Sequence, residues 1–299
     1  MPVSSRRAAV TAVATAAALL ASALPAHATD TIDREYTGTV DAGDVCAESR
    51  NSSGWGYPLG VSFDPLSTGA LSRIVLPLTP YLAGAPAVTI EVHENSGNNP
   101  GEYVIAQATV PAATVLAGPA GPTGTGHLVD VAFAQHPVLR RGDRYFVVVR
   151  VADDPAGTSR YCIPRTTSSL AQVHVTGFDN WNVTGWGTPP SDPGHVLVLA
   201  DHLTTAATTL TVSSWVNPAP LSSPVVRYRA GLTAGGIAVP GELVTFTAGG
   251  RTLCTVATDG NGVAECDGLA GRPEPDGFDV TFAGTALLLP STGHGSLVG

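Results

Sequence analysis

Lysine is absent: all fifteen basic residues of the 299-residue chain are arginine. That removes Schiff-base chemistry, a phosphate-loop lysine and a Lys–Asn isopeptide crosslink together. Charge is sparse, 13% of residues, and weighted toward acid, with a formal net charge of −9. This balance argues against a nucleic-acid partner, because phosphate binding runs through basic patches. Aromatic residues make up only 6% of the chain, so any place where they gather stands out. No stretch sustains the period of a capped amphipathic helix. The patterns H-E-x-x-H, G-x-S-x-G and paired C-x-x-C are all missing, so no catalytic motif emerges. After the N-terminal segment, no run reaches the eighteen or so apolar residues that a spanning helix needs.

What the chain does carry begins with an address. Arg6 and Arg7 precede an Ala-rich apolar stretch from Ala8 to Leu24, and Ala26-His27-Ala28 closes it. A charged start, an apolar middle and an A-x-A site make residues 1–28 a secretory signal peptide, cleaved after Ala28. Cleavage removes two arginines and no acid, leaving −11 on the mature chain. The expected location is therefore secreted or extracellular, where thiols oxidise.

The 34 glycines and 24 prolines suit many short strands joined by turns. Alternating segments run through Ser72–Leu78, Val88–His93, Tyr103–Val110, His127–Phe133, Arg144–Val151, Leu170–Val175 and His195–Ala200. Within them Tyr145-Phe146-Val147-Val148-Val149 is continuously apolar, as a strand covered on both faces would be. Past Thr204 a second series follows: Thr209–Ser214, Val225–Leu232, Leu243–Thr247, Thr252–Thr258, Gly262–Asp267, Phe278–Ala283 and Gly295–Val298. The expected fold class is all-β, with a jelly-roll-like β-sandwich over 29–203 and an immunoglobulin-sized β-sandwich over 204–299.

Four cysteines allow three pairings. Cys254 and Cys266 flank Asp259-Gly260-Asn261-Gly262, a hairpin signal that places them opposite each other on neighbouring antiparallel strands. Cys46 is then left with Cys162. Loop-closure entropy assigns about 3 kcal/mol to the short loop and about 4–5 kcal/mol to the long one.

Two resemblances sharpen this reading. Val88-Thr89-Ile90-Glu91-Val92-His93-Glu94, the turn Gly97-Asn98-Asn99-Pro100-Gly101 and the later Gly142-Asp143-Arg144-Tyr145-Phe146-Val147-Val148-Val149 resemble bacterial extracellular jelly-roll modules of the choice-of-anchor type. That likeness covers about 70 residues and implies placement more than chemistry. From Thr209 onward, "TTLTVS", "PVVRYRAGLTA", Pro240-Gly241-Glu242-Leu243-Val244-Thr245-Phe246, "FDVTFAG" and Pro290-Ser291-Thr292-Gly293 resemble a bacterial Ig-like repeat. Such repeats often carry a Gly-Asp-x-x-Tyr step before Pro-Ser-Thr. Gly284-Thr285-Ala286-Leu287-Leu288-Leu289 stands there instead, so no role of the missing acid and aromatic transfers.

The aromatic gatherings are Trp55 with Tyr57, and Phe178-Asp179-Asn180-Trp181-Asn182-Val183-Thr184-Gly185-Trp186. Flat rings can stack on sugars, so Trp181 and Trp186 are candidate ligand-binding residues, with Asp179 and Asn182 as polar contacts. Gly185 between the tryptophans points to a loop. Trp215 reads as packing. No cofactor is expected; calcium is the ion that loop acids would suit, with Asp153 and Asp154, or Asp41 and Asp44, as candidates. Asp259-Gly260-Asn261-Gly262 lacks the distal Glu of a calcium loop and reads as a turn. Leu289-Pro290-Ser291-Thr292-Gly293 matches the sortase pentapeptide, but it is followed by neither an apolar span nor a basic tail, and it reads as the turn into a last strand. His195, Asp201 and His202 sit close in sequence but read as strand residues. The expected function is non-catalytic binding or adhesion at the bacterial surface or matrix, the partner being extracellular polysaccharide or a surface protein. A secreted glycosidase-like hydrolase and a structural spacer are the competing expectations.

Overall fold

A computed structural model describes residues 30–35, 43–81, 85–121, 126–166, 174–180, 183–187, 195–196, 200–217, 225–269 and 277–296. The expected signal-peptide segment, residues 1–28, lies outside them. The described residues are almost entirely β, and their one helix, α1 (Ala112–Ala117), spans six residues.

The first part of the chain contributes β1 (Thr31–Glu35), β2 (Asp44–Glu48), β3 (Leu59–Phe63), β4 (Gly69–Pro80), β5 (Val88–Ser96), β6 (Asn99–Val110) and β7 (His127–Ala132). It continues with β8 (Val138–Leu139), β9 (Tyr145–Val151), β10 (Arg160–Thr166), β11 (His174–Asn180), β12 (Val183–Gly187), β13 (His195–Val196) and β14 (Ala200–Thr204). One sheet of eight strands follows the order β1-β14-β4-β10-β13, with β2 on β10 and with β7 and β8 on β4. The other has six strands in the order β12-β11-β3-β9-β5-β6. They stack face to face over a core that takes Ile74, Leu76 and Leu78 from one sheet and Val61, Ile90, Val147 and Val149 from the other.

The second part contributes β15 (Thr208–Asn217), β16 (Val225–Ala234), β17 (Ile237–Ala238), β18 (Leu243–Ala248), β19 (Arg251–Ala257), β20 (Val263–Leu269), β21 (Phe278–Phe282) and β22 (Ser291–Gly295). Two four-stranded sheets enclose a core centred on Tyr228, Phe246 and Phe278, the Tyr228 and Phe278 rings meeting edge to face at 4.8 Å. Gly295 is required beside them, because a Cβ there would stand 2.5 Å from the Phe278 ring.

Both cystine pairings, Cys46–Cys162 and Cys254–Cys266, are as expected, and no free cysteine is present. Cys46 and Cys162 are direct register partners of β2 and β10. The second pair corrects one expectation. β19 and β20 are not neighbours in one sheet: β19 pairs with β18 and β20 pairs with β16, so the cystine staples two sheets. The turn between them is real: Asp259 Oδ1 accepts from Asn261 N–H at 2.8 Å and from Val263 N–H at 2.9 Å. It reverses the chain into the facing sheet. A second correction concerns the sortase-like pentapeptide. Ser291, Thr292 and Gly293 lie within β22, in register with Phe282, Thr281 and Val280, rather than in a turn ahead of the last strand.

The segment that replaces Gly-Asp-x-x-Tyr joins the two sandwiches. Leu288 is buried in the second core while Leu287 packs on the first. Ala206 N–H donates to the Leu287 carbonyl at 2.8 Å, and Leu289 N–H donates to the Ala206 carbonyl at 2.9 Å. Arg140 Nη2 donates to the Gly260 carbonyl at 2.6 Å across the same joint.

One buried group works against the fold. Asp201 on β14 is in register with the core residue Ile74, is fully buried, and neither carboxylate oxygen has a hydrogen-bond partner. Burial, then the charge of Asp33, push its carboxyl up from 3.8 to about 7. Below pH 4 the group is neutral in both folded and unfolded chains and carries no penalty. Between 4 and 7 the unfolded chain ionises first, so the fold loses stability as pH rises; above 7 the loss levels off at about 4 kcal/mol. Asp201→Asn should therefore raise the melting temperature more at pH 8 than at pH 4. Thermal melts of both proteins at the two pH values check this, and an equal shift at both would count against an ionising Asp201.

Candidate functional site

The outer face of the six-stranded sheet is built around β9. Tyr145, Val147, Val149 and Val151 point into the core, whereas Phe146 and Val148 point outward and are nevertheless fully buried. Their cover is the half-buried Trp186 of β12. On β3, Gly60 lies opposite Val148 and Ser62 opposite Phe146, small residues that leave room for an indole above. The sheet curls enough that its terminal strands, β12 and β6, come into contact.

This curl makes a groove of about 500 Å³. Trp186 and Gly185 form one wall, the β5–β6 hairpin with Pro100, Gly101 and Glu102 forms the other, and His93 and Arg150 lie along the floor. The floor is charged yet paired. Arg150 Nε donates to Glu91 Oε2 at 2.8 Å, and His93 Nε2 meets the same oxygen at 3.0 Å. His93 Nδ1 lies 2.8 Å from the Gly101 carbonyl, tying the floor to the hairpin wall. Burial alone would raise the Glu91 carboxyl, but the hydrogen bond from His93 and the charge and hydrogen bond of Arg150 hold it below the usual carboxylate range.

Arg150 also lines a second hollow of about 190 Å³, with Arg50, Tyr57, Pro58 and Asp153. Tyr57 is 45% exposed there, and Trp55 nearby is 43% exposed. A larger hollow of about 540 Å³ opens between Asp64, Glu94, Asn98 and Asp143. Its Asp64 is held by Arg144 at 3.0 Å, and its aromatic, Tyr145, is buried with the hydroxyl accepting from Arg140 N–H. It offers no flat exposed ring, so the Trp186 groove is the stronger candidate.

Of the expected ligand-binding residues, Trp186 is in this groove. Asp179 lies on β11 in register with Thr184, and its side chain is outside the described residues, as are Trp181 and Asn182 altogether. The expected loop around Gly185 is instead a strand, because β12 pairs with β11 as a hairpin from Thr176↔Gly187 to Asn180↔Val183. Glu91, His93 and Arg150 were not anticipated as site residues. The signal for them was two polar residues at alternate positions of an apolar strand, and one arginine ending the YFVVV run. Trp215 is 38% exposed, with Arg227 5.9 Å from its ring centre, so it is a partly open surface residue.

The calcium candidates are committed elsewhere or outside view. Asp154 is a loop staple: it accepts from Ala156, Thr158 and Ser159 N–H groups and from the Thr158 and Ser159 hydroxyls. The Ser159 hydroxyl foremost, then these other donors, hold its carboxyl below the usual range. Asp153 faces Arg50 at 3.5 Å. Asp44 opens β2, and Asp41 lies outside the described residues. Among the described residues no three His, Cys, Asp or Glu converge as a metal-holding group. Asp201 and His202 face opposite sides of β14, His202 Nδ1 lying 3.1 Å from Arg73 Nη2, so they form no catalytic pair. No described helix is long and apolar enough to cross a membrane.

Compared with known proteins, the chain matches no protein-family model and no curated sequence.

Glu91→Gln should strand the Arg150 and His93 donors against a neutral amide and cost about 3 kcal/mol at pH 7. The lowered Glu91 carboxyl stabilises the fold above its unfolded value, and this is lost as pH falls through the folded one. Urea unfolding should therefore separate variant from wild type at pH 7 and bring them together at strongly acidic pH. A gap that persisted in acid would show that Glu91 acts through shape alone.

Proposed function

We propose that this is a secreted, non-catalytic binding protein that holds extracellular polysaccharide in the Trp186 groove. The observation that carries the reading is an indole wall beside a floor of hydrogen-bonding side chains already fixed by one another. Sugars present an apolar C–H face and a rim of hydroxyls, which suits a flat ring next to rigid polar groups. The signal-peptide pattern and two cystines support export. Adhesion at a bacterial surface follows if the polysaccharide is part of that surface, with the Ig-like second sandwich, clasped through Leu287–Leu289, holding the first in a fixed orientation.

The hydrolase alternative needs a carboxylic acid kept protonated near neutrality. Glu91, the buried carboxylate at the groove, is held ionised by Arg150 and His93, which favours holding a ligand over cleaving one.

Retention on a glycan array should be lost in Trp186→Ala and partly kept in Trp186→Phe, which preserves cover over Phe146 and Val148. Melting curves of the two variants separate loss of binding from loss of fold. Wild-type retention by a folded Trp186→Ala would remove the groove from consideration.

A further inference from the structure

We propose that the site takes a linear, uncharged polysaccharide chain, laid from Trp186 across Arg150 to Tyr57, and not a single terminal sugar. This rests on the polysaccharide reading above and adds the ligand's shape and charge. Arg150 is shared: it lines both the 500 Å³ groove and the 190 Å³ hollow, so the two adjoin, the second lying where Tyr57 pairs with Glu48 at the end of β2. Each has its own aromatic, Trp186 in one and Tyr57 in the other. Two flat rings with a planar hydrogen-bonding group between them repeat the pattern of a chain of sugar rings joined by polar linkages.

The backbone of the second platform is fixed. Glu48 and Tyr57 exchange backbone hydrogen bonds at 2.8 and 3.2 Å. The loop leading to Tyr57 is closed on Asn51, whose Oδ1 accepts from Ser53 and Trp55 N–H groups. Gly56 packs so closely that a Cβ would stand 3.1 Å from the Arg50 backbone. A backbone held this way loses little freedom when a ligand stacks on the ring it carries.

Charge selects against acidic chains. The ion pairs along the strip are Arg50 with Asp153 at 3.5 Å, Arg150 with Glu91 at 2.8 Å, and Arg160 with Glu48 at 3.1 Å. Each of these three arginines is matched within the protein, so an anionic polymer would have to break a pair to gain one, and the exposed Glu102 on the groove wall would repel it. Stacking further requires rings whose hydroxyls lie in the ring plane, leaving C–H faces bare. The ligand class is thus a neutral chain of equatorially substituted pyranoses.

Calorimetric titration of the mature protein with cello-, xylo- and chito-oligosaccharides of two and six units tests this, with polygalacturonate as the charged control. At least one series should bind about tenfold more tightly at six units than at two, the size of one added stacking contact. Tyr57→Ala should erase that gain while leaving the two-unit affinity within about twofold; Trp186→Ala should lose both lengths. Equal affinity at both lengths, or a length gain that survives Tyr57→Ala, overturns the extended site and leaves the polysaccharide reading standing. Tighter binding of polygalacturonate, or retention only of charged or branched array glycans, overturns the neutral linear chain. Absence of binding to every glycan overturns both readings.

Discussion

An apolar run such as Tyr145–Val149 cannot leave either of its faces in water without forfeiting much of the free energy that folds it. The inner face is served by the sandwich core, but the outer face needs a separate cover, and Trp186 supplies it. To bring an indole over Phe146 and Val148 the β11–β12 hairpin must extend the sheet and curl it toward β6. The concavity that makes a groove is thus a consequence of burying the second face of β9. The aromatic that seals Phe146 and Val148 is the same one that offers a ligand its ring.

The polar floor obeys the complementary constraint. A buried carboxylate is costly unless charge and hydrogen bonds replace its water. Glu91 has both, from Arg150 and His93, and stays ionised. Asp201, equally enclosed, has no hydrogen-bond partner, and burial with the charge of Asp33 outweighs the opposing charge of Arg34, so its carboxyl is pushed to about 7. The contrast separates a polar group that the surrounding strands were arranged to satisfy from one that the fold merely tolerates.

Much of the fold was legible because its signals are local. Alternation marked six strands of the second sandwich, whereas its last strand, Ser291–Gly295, runs ahead of the expected Gly295–Val298; the double-sided apolar run correctly marked β9. The Asp-Gly-Asn-Gly turn correctly paired Cys254 with Cys266. It misled about the strands because a tight reversal fixes the angle of the chain, not the sheet that the next strand joins. That choice is made by distant partners, here β16 for β20 and β18 for β19. Gly185 misled in a similar way: glycine weakens a strand in isolation, but pairing with β11 outweighs that local preference. Among the expected site residues whose side chains are described, Trp186 was legible. Glu91, His93 and Arg150 come together through the register Glu91↔Val148 and Thr89↔Arg150, a relation between segments about 60 residues apart that spacing alone does not reveal.

The second sandwich shows how few residues such long-range choices need once sheets are stacked. Its two open seams lie where edge strands of opposite sheets meet. Along one, β15 and β22 are laced by Thr208, whose hydroxyl donates to the Leu289 carbonyl at 2.7 Å, and by Ser214, whose hydroxyl donates to the Ser296 carbonyl at 3.0 Å. Along the other, β19 and β20 are closed by the cystine. Hydroxyls suffice on the first seam because β15 and β22 run close enough for Gly293 to sit against Val212, where a Cβ would stand 2.9 Å away. On the second seam Leu253 and Thr255 are exposed while Cys254 and Val256 pack on the core, and the covalent link adds to that packing.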